Sequence, residues 1–183
     1  MALADTNRRR LYDRALDQYG YVTTRDAESV GVPPVELRKI AARGGLDHVG
    51  YGVYRFADVP QTGRDQYMEA VLRVGADAYL TRDAVLALHD LGLVNPRRIR
   101  VGTPRRARGR LPDHIEVVRE LLDPADLTAY EGIPSATVAR ALLDCRGTLM
   151  DERLLGAARE AARQGLLRKS EARRVLAALG AAA

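Results

Sequence analysis

Cysteine is almost missing from this sequence: Cys145 stands alone among 183 residues. One thiol closes no internal disulfide, and its place in the helix-like run VARALLDC beside Leu142 and Leu143 reads as a buried structural residue. Tryptophan is absent and phenylalanine occurs once, while Ala, Leu and Val abound, so the cores are expected to be aliphatic and rich in helix. Lysine is restricted to Lys39 and Lys169, leaving arginine to carry nearly all positive charge, a bias that together with the abundant alanine fits GC-rich codons. No apolar run approaches the length of a membrane span and the first residues lack the apolar core of a secretion signal, so a cytoplasmic chain is expected. The three histidines, His48, His89 and His114, are scattered without metal-ligand spacing. No GxSxG elbow and no phosphate-cradling GxxxxGK occur either, so no enzyme, cofactor or metal is expected. His89 beside Asp90 fits a helix end, where the dipole favours it.

At this length, with 46% hydrophobic residues, the chain can bury one good core or two small ones. The break from Val59 to Asp65, VPQTGRD, favours two domains, over residues 1–60 and 61–183. The fold class expected is α+β and mostly helical.

The first sixty residues carry the strongest pattern. A first helix is predicted from about Asn7 to Gln18, with Leu11, Ala15 and Leu16 as its apolar stripe and Gly20 as its stop. Thr23 or Thr24 caps a short second helix whose Ala27 and Val30 face inward, and Gly31 ends it. Pro33 and Pro34 suit the opening of a third helix, where a missing N–H costs nothing, with Leu37, Ile40 and Ala41 buried. Then LDHVGYGVYRFA reads as two short strands around a Gly50-Tyr51-Gly52 tip, with Tyr54 and Phe56 on one face. Helix, helix, turn, helix and hairpin is the order of a winged helix-turn-helix, which makes DNA the first partner to consider. The candidate contacts are Thr23, Thr24 and Arg25 on the second helix, Val35, Glu36, Arg38, Lys39 and Arg43 on the third, and Tyr51 and Arg55 on the hairpin. Arg38 is the best candidate for reading a base edge, because a guanidinium grips guanine bidentately where lysine acts as a point charge on phosphate.

Charge qualifies that expectation. Residues 1–60 carry nine basic and eight acidic side chains, a net +1, against +5 for the whole chain. A nearly neutral reader depends on placed contacts and on a second copy, so a dimer on a two-fold site is expected. The concentrated charge lies in RRIRVGTPRRARGR, where Arg97, Arg98, Arg100, Arg105, Arg106, Arg108 and Arg110 have no acidic neighbour in sequence. That run suits a phosphate-binding arm, an acidic protein surface, or a strand edge kept soluble.

The remainder reads as mixed. A helix is predicted from about Arg64 to Val74 with Met68, Val71 and Leu72 inward, then an extended stretch, a helix capped by Thr81 and running to Leu91, and Gly92 as its stop. Strand patterns follow at Arg98 to Gly102, at HIEVVRE and near Leu127 to Tyr130. Ser135 or Thr137 caps a helix to Asp144, Asp151 opens another through Ala162, and Ser170 caps a last one ending near Leu179.

Four segments carry a resemblance to a known family: YVTTRDA with GVPP, the hairpin GYGVYR, the helix LTRDAVLALHDL, and GIPSATVARALLD. Together they resemble AbiEi-family antitoxins along nearly the whole chain. The resemblance implies an N-terminal winged helix-turn-helix that represses its own operon and a mixed α/β C-terminal domain, ending in helices, that neutralises a nucleotidyltransferase toxin of the AbiEii type. By position it places the DNA-reading helix on Pro34 to Arg43, the wing on Leu46 to Ala57 and the antitoxin domain on about Arg64 to Leu179, with operator DNA and the toxin as partners. Similar N-terminal halves also precede an endonuclease-like domain, which is not expected here because the sequence turns helical and alanine-rich after residue 164. PDHIEVV superficially resembles a PD…ExK nuclease site through Asp113 and Glu116, but Val118 stands where lysine is required. The alternatives that stay open are a stand-alone winged-helix regulator with a ligand- or protein-sensing second domain, and a degenerate nuclease.

Overall fold

The computed structural model describes residues 2–107 and 109–180. Among them it has eight α-helices and two sheets, a mixed α/β fold. The chain divides into two compact units, Met1–Ala76 with Ala107–Pro112, and Asp77–Arg106 with Asp113–Ala183.

The first unit opens with α1 (Ala2–Leu16), β1 (Tyr21–Thr23), α2 (Thr24–Ser29) and α3 (Pro34–Ala42), followed by β2 (Leu46–Gly50), β3 (Val53–Phe56) and α4 (Asp65–Val74). The strands form an antiparallel sheet in the order β1-β3-β2, with Tyr21 opposite Arg55 and Leu46 opposite Phe56. Its core joins Leu11 and Ala15 of α1, Ala27 of α2, Leu37 and Ile40 of α3, and Leu46, Tyr54 and Phe56 of the hairpin. Leu16 is not part of it: five residues on from Leu11 it has rotated off the stripe and is exposed. Strand β1 was not foreseen, because three residues carry no period of their own and gain one only by pairing with β3.

The predicted boundary after residue 60 differs from this division, which places α4 in the first unit. The physical ties are the Tyr21 hydroxyl donating to Glu69 at 2.9 Å and the buried Arg55–Asp65 pair at 3.5 Å. Burial, reinforced by the Glu69 carboxylate, holds the Tyr21 phenol well above its usual range, so it remains a donor.

The second unit is built on a five-stranded mixed sheet in the order β6-β5-β4-β8-β7, comprising β4 (Tyr79–Leu80), β5 (Ile99–Thr103), β6 (Ile115–Arg119), β7 (Leu127–Tyr130) and β8 (Ile133–Ala136). Around it lie α5 (Asp83–Leu88), α6 (Val138–Asp144), α7 (Asp151–Arg163) and α8 (Lys169–Ala178). Strand β8 holds the Ser135 expected at a helix cap; the cap is Thr137, whose hydroxyl accepts from the Arg140 N–H at 3.3 Å. Likewise α8 begins before Ser170, with Arg168 at its N-cap. Helix α5 is shorter than predicted and is not capped by the Thr81 side chain. Its N-cap is Arg82, and Asp90 at φ +54° closes it two residues before Gly92. Cys145 is fully buried against α6, and burial followed by the nearby Asp83 carboxylate pushes its thiol up to about 12.

Candidate nucleic-acid interface

Helix α2 starts where a capping box permits it. The Thr23 hydroxyl accepts from the Asp26 N–H at 3.1 Å while the Asp26 carboxylate accepts from the Thr23 N–H at 2.9 Å and its hydroxyl at 2.6 Å. Thr23 is therefore the cap and Thr24 the first helical residue. Asp26 also accepts from Arg14 at 3.0 Å and Gln18 at 3.2 Å, so one carboxylate ties α1 to α2. Burial raises the pKa of Asp26, but the hydrogen bonds from Thr23, Gln18 and Arg14 outweigh it and hold the group below its ordinary 3.8. A depressed carboxylate contributes stability above its unfolded value and loses it as pH falls through the folded one. Asp26→Ala is accordingly expected to cost about 2–3 kcal/mol at neutral pH, from a lost cap and charge-assisted hydrogen bonds, and to flatten the acid limb of stability below pH ~4. Urea unfolding across that range checks it; an unchanged acid limb would count against this role.

The turn is made by Gly31 at φ +74°, with the Val32 N–H donating to the Ala27 carbonyl at 2.8 Å. Pro33 stands at the N-cap position of α3 without a side-chain hydrogen bond and Pro34 is its first residue, so neither lacks an N–H that the helix needed. Leu37 and Ile40 are buried, which leaves Val35, Arg38, Lys39, Ala42 and Arg43 outward. Lys39 meets Glu36 at 2.7 Å, an exposed pair one turn apart that is weak enough to exchange for phosphate. Arg25, Arg38 and Arg43 have no ion-pair partner among the described residues.

The hairpin tip is fixed to α2. The Thr24 N–H donates to the Gly52 carbonyl at 2.9 Å, and Gly52, at φ +67°, has no space for a side chain because a Cβ would stand 2.7 Å from the Thr24 hydroxyl. Tyr51 at the tip is 73% exposed. This coupling of tip to helix was not legible in sequence beyond the glycine itself.

Arg55 corrects an expectation. It is 6% exposed: its guanidinium donates to the carbonyls of Val59 at 2.7 Å and Phe56 at 3.2 Å, pairs with Asp65 at 3.5 Å and lies over the Tyr21 ring at 5.6 Å. Alternation along the hairpin placed it in solvent opposite Tyr54 and Phe56. Instead β3 is the central strand, with Asp65 at the start of α4 against its second face, so all four of its residues are buried.

The arginine run is dispersed by folding. Arg97 and Arg98 are exposed ahead of β5, as is Arg106 beyond it; Arg108 lies outside the described residues. Arg100 is held between Asp83 and Glu116, the latter at 3.2 Å, and these two carboxylates outweigh burial to raise its pKa. Arg100 is thus a structural ion-pair residue, and its pairing occupies the Glu116 carboxylate considered in the nuclease reading. Arg105 meets Asp77 at 2.9 Å although it is 80% exposed. Arg110 is exposed and belongs to the segment that joins the first unit.

Among the described residues no group of three or more His, Cys, Asp or Glu side chains could hold a metal ion, and no helix is long and apolar enough to cross a membrane. His48 packs against Tyr54 at 5.1 Å and His89 against Tyr130 at 4.2 Å between ring centroids.

Residues 9–57 match a family model described as a transcriptional regulator, AbiEi antitoxin. The matched segment runs from within α1 to just past β3. No curated protein matches the chain. A solved structure, that of the RV2827C protein from Mycobacterium tuberculosis, is similar at 17% identity with a TM-score of 0.40, covering 94% of this chain and 81% of that one.

Proposed function

We propose that the first unit is a winged helix-turn-helix that binds operator DNA, with α3 as the reading helix and the β2–β3 hairpin as the wing. The carrying observation is the outward face of α3, where Val35, Arg38 and Arg43 stand exposed on a helix positioned by the Gly31 turn and flanked by a tip anchored to Thr24. Arg38 reads a base edge, Arg43 and Lys39 hold phosphate, and Thr24, Arg25 and Tyr51 border the same surface. Thr23 acts as a positioning residue through its cap, and Glu36 pairs with Lys39 until phosphate replaces it. Two copies on an inverted repeat supply the phosphate contacts that a single unit of net +1 over residues 1–60 lacks.

The family description of residues 9–57 joins transcriptional regulation to antitoxin activity, and it supports extending the reading to the second unit. In this reading residues 77–106 and 113–183 bind a nucleotidyltransferase toxin and silence it, with no chemistry of their own. A reporter driven by the DNA upstream of this gene tests the first half: the full chain is expected to repress it, and the chain carrying Arg38→Ala is expected to leave it active. Co-expression with a nucleotidyltransferase encoded beside the gene tests the second: growth is expected to be restored, including by the Arg38→Ala chain. Full toxicity in the presence of a soluble, folded chain would refute the antitoxin half alone.

A further inference from the structure

Residues 107–112 interrupt the second unit in sequence, and the described ones among them, 107 and 109–112, belong to the first unit. The contact is at the hairpin tip: Gly109, at φ +78°, brings its backbone so close to Tyr51 that a Cβ there would stand 3.1 Å from the tyrosine Cβ and 3.6 Å from its Cγ. That backbone conformation and that approach together strain any residue with a Cβ.

Charge gives the placement a meaning. Residues 1–76 hold eleven basic and ten acidic side chains, a net +1, and the described residues of the segment, 107 and 109–112, add Arg110 and no acid. Earlier in the run, Arg100 is paired with Asp83 and Glu116 and Arg105 with Asp77. Arg110 is exposed and has no ion-pair partner among the described residues. The tip it adjoins is hydrogen-bonded to the start of α2, where Arg25 is also exposed. Two guanidinium groups without ion-pair partners, those of Arg25 and Arg110, beside one hairpin tip suit neighbouring phosphates, since a guanidinium binds phosphate with paired donors.

We infer that residues 109–112 form a second arm of the DNA interface, which lays Arg110 on the phosphate backbone beside the hairpin tip. This rests on the DNA-binding reading of the first unit. The arm contributes affinity on any sequence and leaves base discrimination to α3.

The test is fluorescence anisotropy of the full chain on two duplexes, one from its own upstream region and one of scrambled sequence, between 50 and 200 mM salt. Losing one phosphate contact lowers the salt slope by about 0.9, so Arg110→Ala is expected to weaken binding to both duplexes, with a penalty about 3.5-fold larger at 50 than at 200 mM. Gly109→Ala, which keeps every charge but strains both the left-handed backbone and the approach to Tyr51, is expected to lower the slope as well. The exposed pair Arg97→Ala with Arg98→Ala, outside the arm, is expected to leave it unchanged. An unchanged slope in Arg110→Ala overturns the arm, and so does an equal fall in the Arg97/Arg98 variant, which would make net charge rather than placement responsible. If Arg38→Ala lowers discrimination while Arg110→Ala changes nothing, the arm alone fails. If the unaltered chain binds neither duplex, the DNA reading fails with it.

Discussion

Arg55→Ala is expected to lower the stability of the first unit by about 3–5 kcal/mol, the usual consequence of removing one member of a buried ion pair. Asp65 is 8% exposed at its side chain and would be left without its cation, retaining only the hydrogen bonds from the Thr62 hydroxyl and N–H. The carbonyls of Val59 and Phe56 would lose their donor too. Urea denaturation measures the loss, and a double substitution separates its causes. Arg55→Met with Asp65→Leu removes both charges and is expected to recover much of the stability, because the dominant penalty is an uncompensated carboxylate and not a missing attraction. Below its unfolding midpoint, Arg55→Met is expected to bind DNA as the unaltered chain does. Normal stability with lost DNA binding would return Arg55 to the interface and contradict its burial.

Arg38→Ala is expected to reduce discrimination between the upstream duplex and a scrambled one by 1–3 kcal/mol, or roughly 5- to 150-fold, the range for one bidentate base contact. Arg38→Lys is not expected to restore it, since an ammonium cannot reproduce the paired donors of a guanidinium. Arg43→Ala differs in kind, weakening both duplexes alike and lowering the salt slope. The same protein preparations compared in one competition titration distinguish these outcomes. An equal loss on both duplexes in Arg38→Ala would demote that residue to a phosphate contact.

Local chemistry made much of the first unit legible. Thr23, Gly31, Pro33 and Pro34 announce a cap, a left-handed stop and a helix opening, each requiring only a few neighbouring residues. What failed to show depends on partners far along the chain. Strand β1 exists through pairing with residues about thirty positions away, and β8 contains Pro134, a residue type that strands seldom hold. Arg55 followed the alternation expected of a two-stranded hairpin, but a third strand and α4 removed the solvent from its face. Asp90 turns left-handed already, two residues before Gly92, which is left-handed as well. At the candidate interface, the exposed residues of α3 follow from helical periodicity alone. The anchoring of the tip to Thr24 and the docking of Gly109 on Tyr51 are tertiary contacts, marked in sequence only by two glycines.

The central claim is that α3 reads sequence in the DNA upstream of this gene. The most direct measurement is the affinity of the full chain for that duplex and for its scrambled counterpart at about 150 mM salt. The account predicts a preference of at least about a thousandfold, the lower end for specific recognition, with protection over two half-sites one helical turn apart. Equal affinity for the two duplexes would contradict it.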